Sequence, residues 1–339
     1  MARFLTYLEY GFYIAMLFFV IPIKIDKESV EDSFTEYNIR FNKSYENQTV
    51  YNLRLEAFKN SLETIETLNQ NRTNNSAIYG ITKFSDLHPE EFQTKFLTTF
   101  LHQEPKDDDS SEENYFNKRS AKELPKKVDW RSKNIVTKVK NQNQCGACWA
   151  FSTIETVESM NAMKTGKLEE LSVQQMIDCS TFNRGCEGGD MCSLLQWMIM
   201  TKAKVVTETT YPLTKSNDKC RRNDTWSGVQ ISEFNCGEFV GNEDVMLELI
   251  AYIGPITVAV DAKTWQNYAG GIIQYHCNSK TRNLNHAVQI VGYDLTAEIP
   301  HYIARNTWGE DFGDNGYVYI AIGDNVCGIA NQVAALKVL

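Results

Sequence analysis

The chain has 339 residues, which is enough for one large domain or two domains of ordinary size. Hydrophobic residues make up 42% and charged residues 23%, proportions that are typical of a globular protein and exclude an intrinsically disordered one. The net charge is −9 and no run of basic residues occurs, so the composition excludes nucleic acid as the main partner.

The amino terminus has the pattern of a secretory signal. Arg3 precedes an apolar run over residues 11–23, which is shorter than the roughly 20 residues that a membrane-spanning helix needs. We therefore predict a signal peptide at residues 1–23, entry into the secretory pathway and no stable membrane span. The alternative interpretation of this run is a buried helix.

The cysteines are confined to the later part of the chain. All nine lie from Cys145 onward, and the first 144 residues contain none. This separation predicts two segments with different fates, the second of which folds in an oxidising compartment. On the secretory route each asparagine sequon is a candidate glycosylation site, and the sequons begin at Asn42, Asn47, Asn71, Asn74 and Asn223.

The cysteine-free part combines a helical pattern with a linker. Residues 31–69 have helical periodicity, with an apolar stripe at Tyr51, Leu55, Phe58, Leu62 and Ile65 that must cover another surface. Residues 74–87 predict a loop and a short strand. The acidic stretch at residues 104–113 predicts a flexible, protease-accessible linker.

The character of the chain changes from Leu124 onward. A buried helix is predicted to begin at or near Cys148 and to end at Gly166. A second helix is predicted near Ser172, which stands three residues before Gln175 in the spacing of a capping box. The last third contains the short β-rich runs PITVAVD, HAVQIVGYD, HYIARN and YVYIAIG. Helices followed by strands predict an α+β unit of two lobes.

Several functions are open to the cysteine pair in NQCGACWAFS, residues 143–152. A thioredoxin-like redox couple usually has its tryptophan before the first cysteine, whereas Trp149 follows Cys148. A zinc site needs a second ligand pair at short spacing, which the sequence does not offer. A structural role for both cysteines stays open, but it does not explain the glutamine, glycines and tryptophan beside them. The remaining alternative makes one cysteine a nucleophile.

A nucleophilic thiol needs two groups that stabilise its thiolate. The first is a helix amino terminus, which the predicted position of Cys148 supplies, and the second is a histidine. His286 is favoured because it opens an apolar strand, whereas His276 is predicted in a loop and His301 at a turn. Asn306 follows His286 by twenty residues and can orient the ring, although a turn-forming role is its alternative.

These motifs together resemble the papain family of cysteine endopeptidases. The segments QNQCGACWAFS, LSVQQMIDC, GCEGGD, NHAVQIVGYD and RNTWGEDFGDNGY match the family pattern in order, and the cysteine signature with histidine and asparagine downstream is a known mark of that family. Residues 265–277 are similar to one subgroup within it. The resemblance implies an α+β, papain-like two-lobe fold, in which an active-site cleft separates a helical lobe from a β-barrel-like lobe.

The resemblance assigns expected roles to matching positions. Cys148 is implied to be the nucleophile, His286 the acid and base, and Asn306 the group that orients it. Gln142 is implied to be the oxyanion donor, together with the backbone N–H of Cys148. No cofactor and no metal are implied. The residues implied to bind substrate are Gly188, Gly189, Met191, Ala259, Leu284, Trp308 and Gln332.

The resemblance also implies a disulfide framework. Its three bridges join Cys145 with Cys186, Cys179 with Cys220, and Cys277 with Cys327. Cys192 and Cys236 fall outside the family pattern. The sequence leaves open whether these two form a fourth bridge or remain buried thiols, because it does not show their separation.

The precursor layout of the family implies a signal peptide at residues 1–23, a helical inhibitory propeptide at residues 24–123 and a mature peptidase domain at residues 124–339. The propeptide motifs are incomplete, which leaves the tightness of inhibition open. The positions that fit are Arg54, Phe58, Ile65, Asn69, Gly80, Phe84 and Asp86, and the departures are Val50, Ser61 and Thr82.

We therefore expect a cysteine endopeptidase that forms a thioester acyl-enzyme and is made as an acid-activated zymogen. The sequence has no histidine-bearing insertion after Cys186 and no cysteine before Cys145, features that would indicate an exopeptidase. A catalytically silent papain-like binding or matrix protein is the alternative. The expected partners are protein and peptide substrates, the chain's own propeptide and cystatin-like inhibitors. We expect a monomer that acts in the lysosome or outside the cell.

Overall fold

The computed structural model describes residues 29–70, 72–98, 123–221, 223 and 225–339. The predicted signal peptide, the acidic linker and the sequon at Asn71 lie outside the described residues. By its internal contacts the chain divides into two units, residues 1–55 and residues 56–339. Within the described ranges no helix is both long enough and apolar enough to cross a membrane.

The first unit contains helix α1, Val30–Arg40, and the start of helix α2, Gln48–Asn69. The sequence predicts one continuous helical pattern over residues 31–69, and this prediction is wrong at residues 41–47, which lie outside both helices. The physical reason is local, because Asn42 has a φ of 50° and a residue in the left-handed region cannot continue a right-handed helix.

In the second unit, residues 56–98 form what we call the amino-terminal segment. It comprises the later turns of α2, strand β1 (Ile78–Tyr79) and helix α3 (Pro89–Phe96). The predicted short strand is therefore confirmed. Of the predicted apolar stripe on α2, Phe58 is fully buried.

Three helices build the helical lobe: α4 (Cys148–Thr165), α5 (Val173–Cys179) and α6 (Met191–Thr201). Helix α4 begins and ends where the sequence predicts, and Gly166 closes it with a φ of 74°. The side chain of Ser172 caps α5 by accepting a hydrogen bond from the backbone N–H of Gln175. The side chain of Asp190 caps α6 in the same way.

The other lobe is built on one sheet, to which helix α7 (Glu243–Tyr252) is added. The strand order is β3-β10-β4-β7-β8-β9-β6, and β2 pairs with β7. Every residue of β4 and β7 is buried, so these strands form the centre. The strands are β2 (Lys127–Asp129), β3 (Ile231–Gly237), β4 (Ile256–Val260), β5 (Tyr268–Gly270), β6 (Ile272–Ile273), β7 (His286–Asp294), β8 (His301–Arg305), β9 (Tyr317–Ala321) and β10 (Val333–Val338).

The described structure differs from the sequence predictions at His301 and in two strands. His301 is the first residue of β8 and not part of a turn, and β3 and β10 are strands that the sequence analysis did not predict. Short 3₁₀ turns complete the described chain at Trp130–Lys133, Gly185–Glu187, Lys263–Asn267, Thr281–Asn283 and Val326–Gly328.

Four disulfides cross-link the described residues. Three are the pairings that the resemblance implies, and the fourth joins Cys192 at the start of α6 to Cys236 on β3. Cys148 is the free cysteine among the described residues, and it is buried. The question that the sequence leaves open is thus answered by a helix and a strand that bring two distant cysteines to a Cα–Cα separation of 6.0 Å.

Alkylation in denaturant without reductant should therefore modify one cysteine, Cys148. Mass mapping of the matured protein checks this, and modification of Cys192 and Cys236 would contradict the fourth bridge. The paired variant Cys192→Ser/Cys236→Ser should lower the free energy of unfolding by about 2–4 kcal/mol, because it releases a cross-link between residues 44 apart. Chemical denaturation measures the loss.

Candidate active site

Cys148 is the first residue of α4, so its sulfur lies at the positive end of the helix dipole. The turn before the helix is held by the Cys145–Cys186 bridge and by a hydrogen bond of 2.8 Å from the N–H of Gly146 to the carbonyl of Cys186. A side chain at Gly146 would bring its Cβ within 2.7 Å of that carbonyl oxygen, so only glycine fits the turn.

His286 is the first residue of β7, and its partner across the sheet is Val260 of β4. The Nε2 atom of His286 lies 2.7 Å from Oδ1 of Asn306, directly after β8. The indole of Trp308 stacks on the imidazole with 4.7 Å between ring centroids, and Trp265 meets the ring edge-on at 5.9 Å. The hydrogen bond and the two indoles therefore fix the ring and shield it from water.

The described residues give Nδ1 of His286 no hydrogen-bond partner. Next to it in sequence, the backbone N–H of Ala287 reaches the thiol of Cys148. The structure therefore brings together the helix that carries the thiol and the strand that carries the imidazole.

Gln142 is held rigidly beside the helix amino terminus. Its backbone N–H donates to the carbonyl of Thr307 at 2.8 Å, and its side-chain oxygen accepts from the Thr307 hydroxyl. Its Nε2 donates to the carbonyl of Cys145 at 2.9 Å and to the carbonyl of Phe96 at 3.3 Å. A fixed amide donor at this position is suited to hold an oxygen that gains negative charge.

Burial governs the charge state of the two reactive groups. Desolvation raises the pKa of the Cys148 thiol to about 12, against the opposing effect of nearby backbone N–H groups. Desolvation also lowers the pKa of His286 to about 4, although the bond to Asn306 opposes this. While both groups are buried in this way, desolvation favours a neutral thiol and a neutral imidazole.

The cover is the end of the amino-terminal segment. Phe96 presents its carbonyl to Gln142, and the N–H of Thr98 donates to the carbonyl of Asn285 at 2.7 Å, directly before His286. On α3, Phe92 packs edge-on against Trp308 at 5.4 Å, as Phe84 does at 5.5 Å. Backbone bonds and aromatic packing thus place this segment over the reactive residues.

Two further contacts anchor the same segment. Strand β1 pairs antiparallel with β5 in a separate two-stranded sheet, which joins the amino-terminal segment to the rest of the unit. The hydroxyl of Thr82 donates to the carbonyl of Gln266 at 2.5 Å, and Lys83 forms an ion pair with Asp311. Thr82 departs from the usual motif, and its hydroxyl still makes a buried contact with the rest of the unit.

The residues implied to bind substrate lie around this site. Gly189 packs on Trp149, because a Cβ there would lie 2.8 Å from the indole, and Gly188 has a φ of 118°. Met191, Ala259 and Leu284 are buried in one hydrophobic cluster that also contains Cys148.

Gln332 is adjacent to that cluster. Its carbonyl accepts from the N–H of Ala259 at 3.0 Å, and its side-chain Nε2 donates to the carboxylate of Asp190. The same nitrogen lies 3.6 Å from the sulfur of Cys192. No group of three or more His, Cys, Asp or Glu side chains in the described part of the chain is placed to hold a metal ion.

Sequence reasoning missed several supporting residues. Thr307 donates a hydrogen bond to the side chain of Gln142, and Trp265 packs edge-on against His286. The N–H of Ala287 reaches the thiol of Cys148. Two of them could have been found from their position next to a predicted site residue, since Thr307 follows Asn306 and Ala287 follows His286. Nothing in the sequence marks Glu155, a fully buried carboxylate on α4.

A buried thiol at a helix amino terminus beside a histidine–asparagine pair defines a cysteine-type hydrolase. Comparison with known proteins gives the family. A sequence profile described as papain family cysteine protease matches residues 124–336, and one described as cathepsin propeptide inhibitor domain matches residues 34–92.

Similar proteins include cathepsin O of Homo sapiens, 42% identical over 83% of this chain and 87% of the human protein, and a viral cathepsin of Lymantria dispar multicapsid nuclear polyhedrosis virus, 37% identical over 91% and 85%. Cathepsin O is also the subgroup that residues 265–277 resemble. Among solved structures, a recombinant stem bromelain precursor aligns with a TM-score of 0.77 at 32% identity, covering 91% of this chain and 98% of its own.

The chain belongs to the papain family of cysteine proteases. It carries a cathepsin propeptide inhibitor domain and is a cysteine endopeptidase in its zymogen form, with its own propeptide as inhibitor.

The buried imidazole gives the zymogen a specific response to acid. Because the folded pKa of His286 is lowered, the unfolded state binds this proton first, and the contribution of His286 to stability is lost as pH falls from about 6.5 through 4. The full effect is about 3 kcal/mol. Denaturant unfolding of a Cys148→Ala proenzyme at a series of pH values should show this loss.

The control is the same proenzyme with His286→Gln added, which has no imidazole to titrate. Its unfolding free energy should vary less with pH between 6.5 and 4. If the two proteins have the same pH dependence, His286 is not the group responsible.

Proposed function

We propose that Cys148, His286, Asn306 and Gln142 carry out peptide hydrolysis in this endopeptidase. One observation carries the assignment: the thiol at the start of α4 accepts from the N–H of Ala287, and the neighbouring His286 is held through Nε2 by Asn306 at 2.7 Å. Removal of the propeptide hydrates this pair, and the proton then passes from sulfur to Nδ1. The thiolate and the imidazolium stabilise each other.

Free-energy magnitudes support His286 as the main stabiliser of the thiolate. A fall in thiol pKa from about 8.5 to about 3–4, as in histidine-paired papain-type sites, is equivalent to roughly 6–7 kcal/mol. A helix terminus supplies at most about 2 kcal/mol. The imidazolium must therefore supply the larger share.

The proposed reaction has two stages, acylation of the thiol and hydrolysis of the thioester. The sulfur of Cys148 attacks the peptide carbonyl carbon, and the oxyanion accepts hydrogen bonds from Gln142 and from the N–H of Cys148. The imidazolium of His286 protonates the leaving amine, which departs and leaves a thioester. The neutral imidazole then takes a proton from water, which attacks the thioester and regenerates the thiolate.

We also propose the precursor layout of signal peptide 1–23, propeptide 24–123 and mature enzyme 124–339. Maturation in acid, with cleavage near Leu124, is supported by the lowered pKa of His286, since protonation of this buried ring disfavours the covered state. The secretory route leads to the lysosome or the exterior, and the mature enzyme is a monomer that cystatin-like inhibitors bind.

Candidate glycosylation sites differ between precursor and mature enzyme. Asn42, Asn47 and Asn74 are exposed in the propeptide, where Asn71 lies outside the described residues. Asn223 is exposed in the mature part, and its Oδ1 accepts from the Thr225 hydroxyl at 2.7 Å. We propose Asn223 as the site that the mature enzyme retains.

Selection at the residue two before the cleaved bond is proposed to rest on Met191, Ala259, Leu284 and Gln332. The first three are apolar and buried in one cluster, and burying an apolar substrate side chain there contributes about 1.5–3 kcal/mol. Gln332 is neutral. Gly188, Gly189 and Trp308 are proposed to line the adjoining parts of the cleft.

Substitution of the catalytic residues separates their roles. Cys148→Ser and His286→Ala should abolish peptidase activity, whereas Gln142→Ala should lower kcat by roughly 10²–10³, the effect of one lost oxyanion donor. Steady-state kinetics on folded, propeptide-free protein measures both. Stoichiometric labelling of wild type by an epoxide reagent should fall on Cys148, and near-normal turnover of Cys148→Ser would exclude it as nucleophile.

A positional peptide library tests the pocket. Leucine, valine or phenylalanine should be preferred two residues before the cut, and arginine should gain little over leucine because Gln332 cannot form an ion pair. A strong preference for arginine or glutamate would contradict this pocket. An unchanged profile in Gln332→Ala would place Gln332 outside it.

A further inference from the structure

Glu155 is a buried carboxylate that the proposed mechanism does not use. It lies on α4, seven residues or about two turns after Cys148, and its side chain is fully buried. Neither carboxylate oxygen has a hydrogen-bond partner in the described residues. A buried carboxylate is costly unless a counter-charge lies close to it.

Arg305 supplies the counter-charge. Its Nη2 lies 3.5 Å from Oε1 of Glu155, and both side chains are fully buried. Arg305 is the last residue of β8 and directly precedes Asn306, which orients the His286 ring. Glu155 therefore lies on the helix of the nucleophile and pairs with the neighbour of the orienting asparagine.

A second connection joins the same helix to the strand of the imidazole. Gln289, three residues after His286 on β7, donates from Nε2 to the backbone carbonyl of Glu155 at 3.0 Å. Its Oε1 accepts from Nη1 of Arg305 at 3.2 Å. Glu155, Gln289 and Arg305 thus form a closed set of contacts that links α4, β7 and β8.

We propose that Glu155 is a positioning residue for catalysis: its carboxylate holds Arg305, and through Arg305 it fixes Asn306 and His286 relative to the helix of Cys148. This inference rests on the proposed roles of those three residues. Arg305 also donates to the hydroxyl of Thr137 and to the backbone carbonyl of Lys138. Both of these groups are neutral, so they cannot replace the negative charge of Glu155.

The charges around Glu155 decide how pH acts on this contact. Arg305 and Lys140 attract its charged form, whereas Glu158 repels it and Tyr317 also faces it. Glu158 itself is engaged by Lys140, by Thr137 and by the N–H of Leu171, all within 2.7 Å.

Burial is the largest influence and raises the pKa of Glu155 to about 7. The folded state therefore holds this proton up to a higher pH than the unfolded state, and the stability that this residue contributes is lost as pH rises from about 4.5 through 7. The charged carboxylate that pairs with Arg305 forms over the same range, so positioning strengthens towards neutral pH.

The test compares mature wild type with Glu155→Gln, Glu155→Asp and Thr156→Val. The last is a matched control: Thr156 is the next buried polar residue of α4, and its hydroxyl contacts Thr257 on β4 at 2.8 Å, away from Arg305. The measurements are kcat and KM for a short peptide substrate between pH 4.5 and 8.5, the pH dependence of thiol alkylation, and Tm.

Glu155→Gln should lower kcat about 10- to 100-fold at pH 8 with KM changed less than about twofold, and should lose the rise in kcat around pH 7. Glu155→Asp keeps the charge and should restore part of kcat at pH 8 and part of its rise around pH 7. Thr156→Val should lower Tm and leave the kcat profile unchanged. If Glu155→Gln lowers only Tm, as the control does, the inference is overturned.

Glu155→Gln leaves Arg305 without a counter-charge and can fail to fold, so Glu155→Leu/Arg305→Leu provides a second test. This variant buries no unpaired charge and should keep a Tm near that of wild type. Its kcat should be reduced as in Glu155→Gln, and a wild-type kcat and pH profile would refute the positioning role. Epoxide labelling of Cys148 in wild type tests the proposed function independently of either result.

Discussion

The hydrogen bond between His286 and Asn306 is the contact on which the rest of the site depends. It forms because β7 and β8 are neighbours in the sheet, and it leaves Nδ1, the second ring nitrogen, without a partner among the described residues. Two indoles exclude water from this bond, which strengthens it and also makes a charged ring costly. In the proposed mechanism the thiolate comes from the helical lobe and the imidazolium from the other lobe, so catalysis requires the two lobes to be packed in one arrangement.

The same physical effect explains how a propeptide can silence such a site. Covering the cleft removes water from both reactive groups, and each then favours its neutral form. The cover is held mainly by strand pairing and by buried aromatic rings such as Phe92, whose burial contributes about 1.5–3 kcal/mol. The ion pair of Lys83 with Asp311 is partly exposed and contributes at most about 1 kcal/mol. Surface charge is thus a minor part of the attachment.

Local sequence signals predicted the elements that place the site. Caps and periodicity marked the start of α4 and α5 and the strands β4, β7, β8 and β9. The break at residues 41–47 was missed, because Asn42 adopts a left-handed conformation that helical periodicity does not reveal. Strands β3 and β10 were also missed. Their sequences, ISEFNCG and VAALKV, contain polar or alanine residues that only pairing with neighbouring strands makes β-structured.

The sequence by itself determined the chemical groups, their order and their class. A thiol at a helix start, a histidine that opens a strand and an asparagine that follows the next strand are all local features, so they can be read without coordinates. Only the tertiary structure decided that Cys192 meets Cys236, that Phe96 presents its carbonyl to Gln142 and that Glu155 pairs with Arg305. These facts depend on distances between residues far apart in the chain. The charge states depend in addition on desolvation, which exists only once the surrounding side chains have packed.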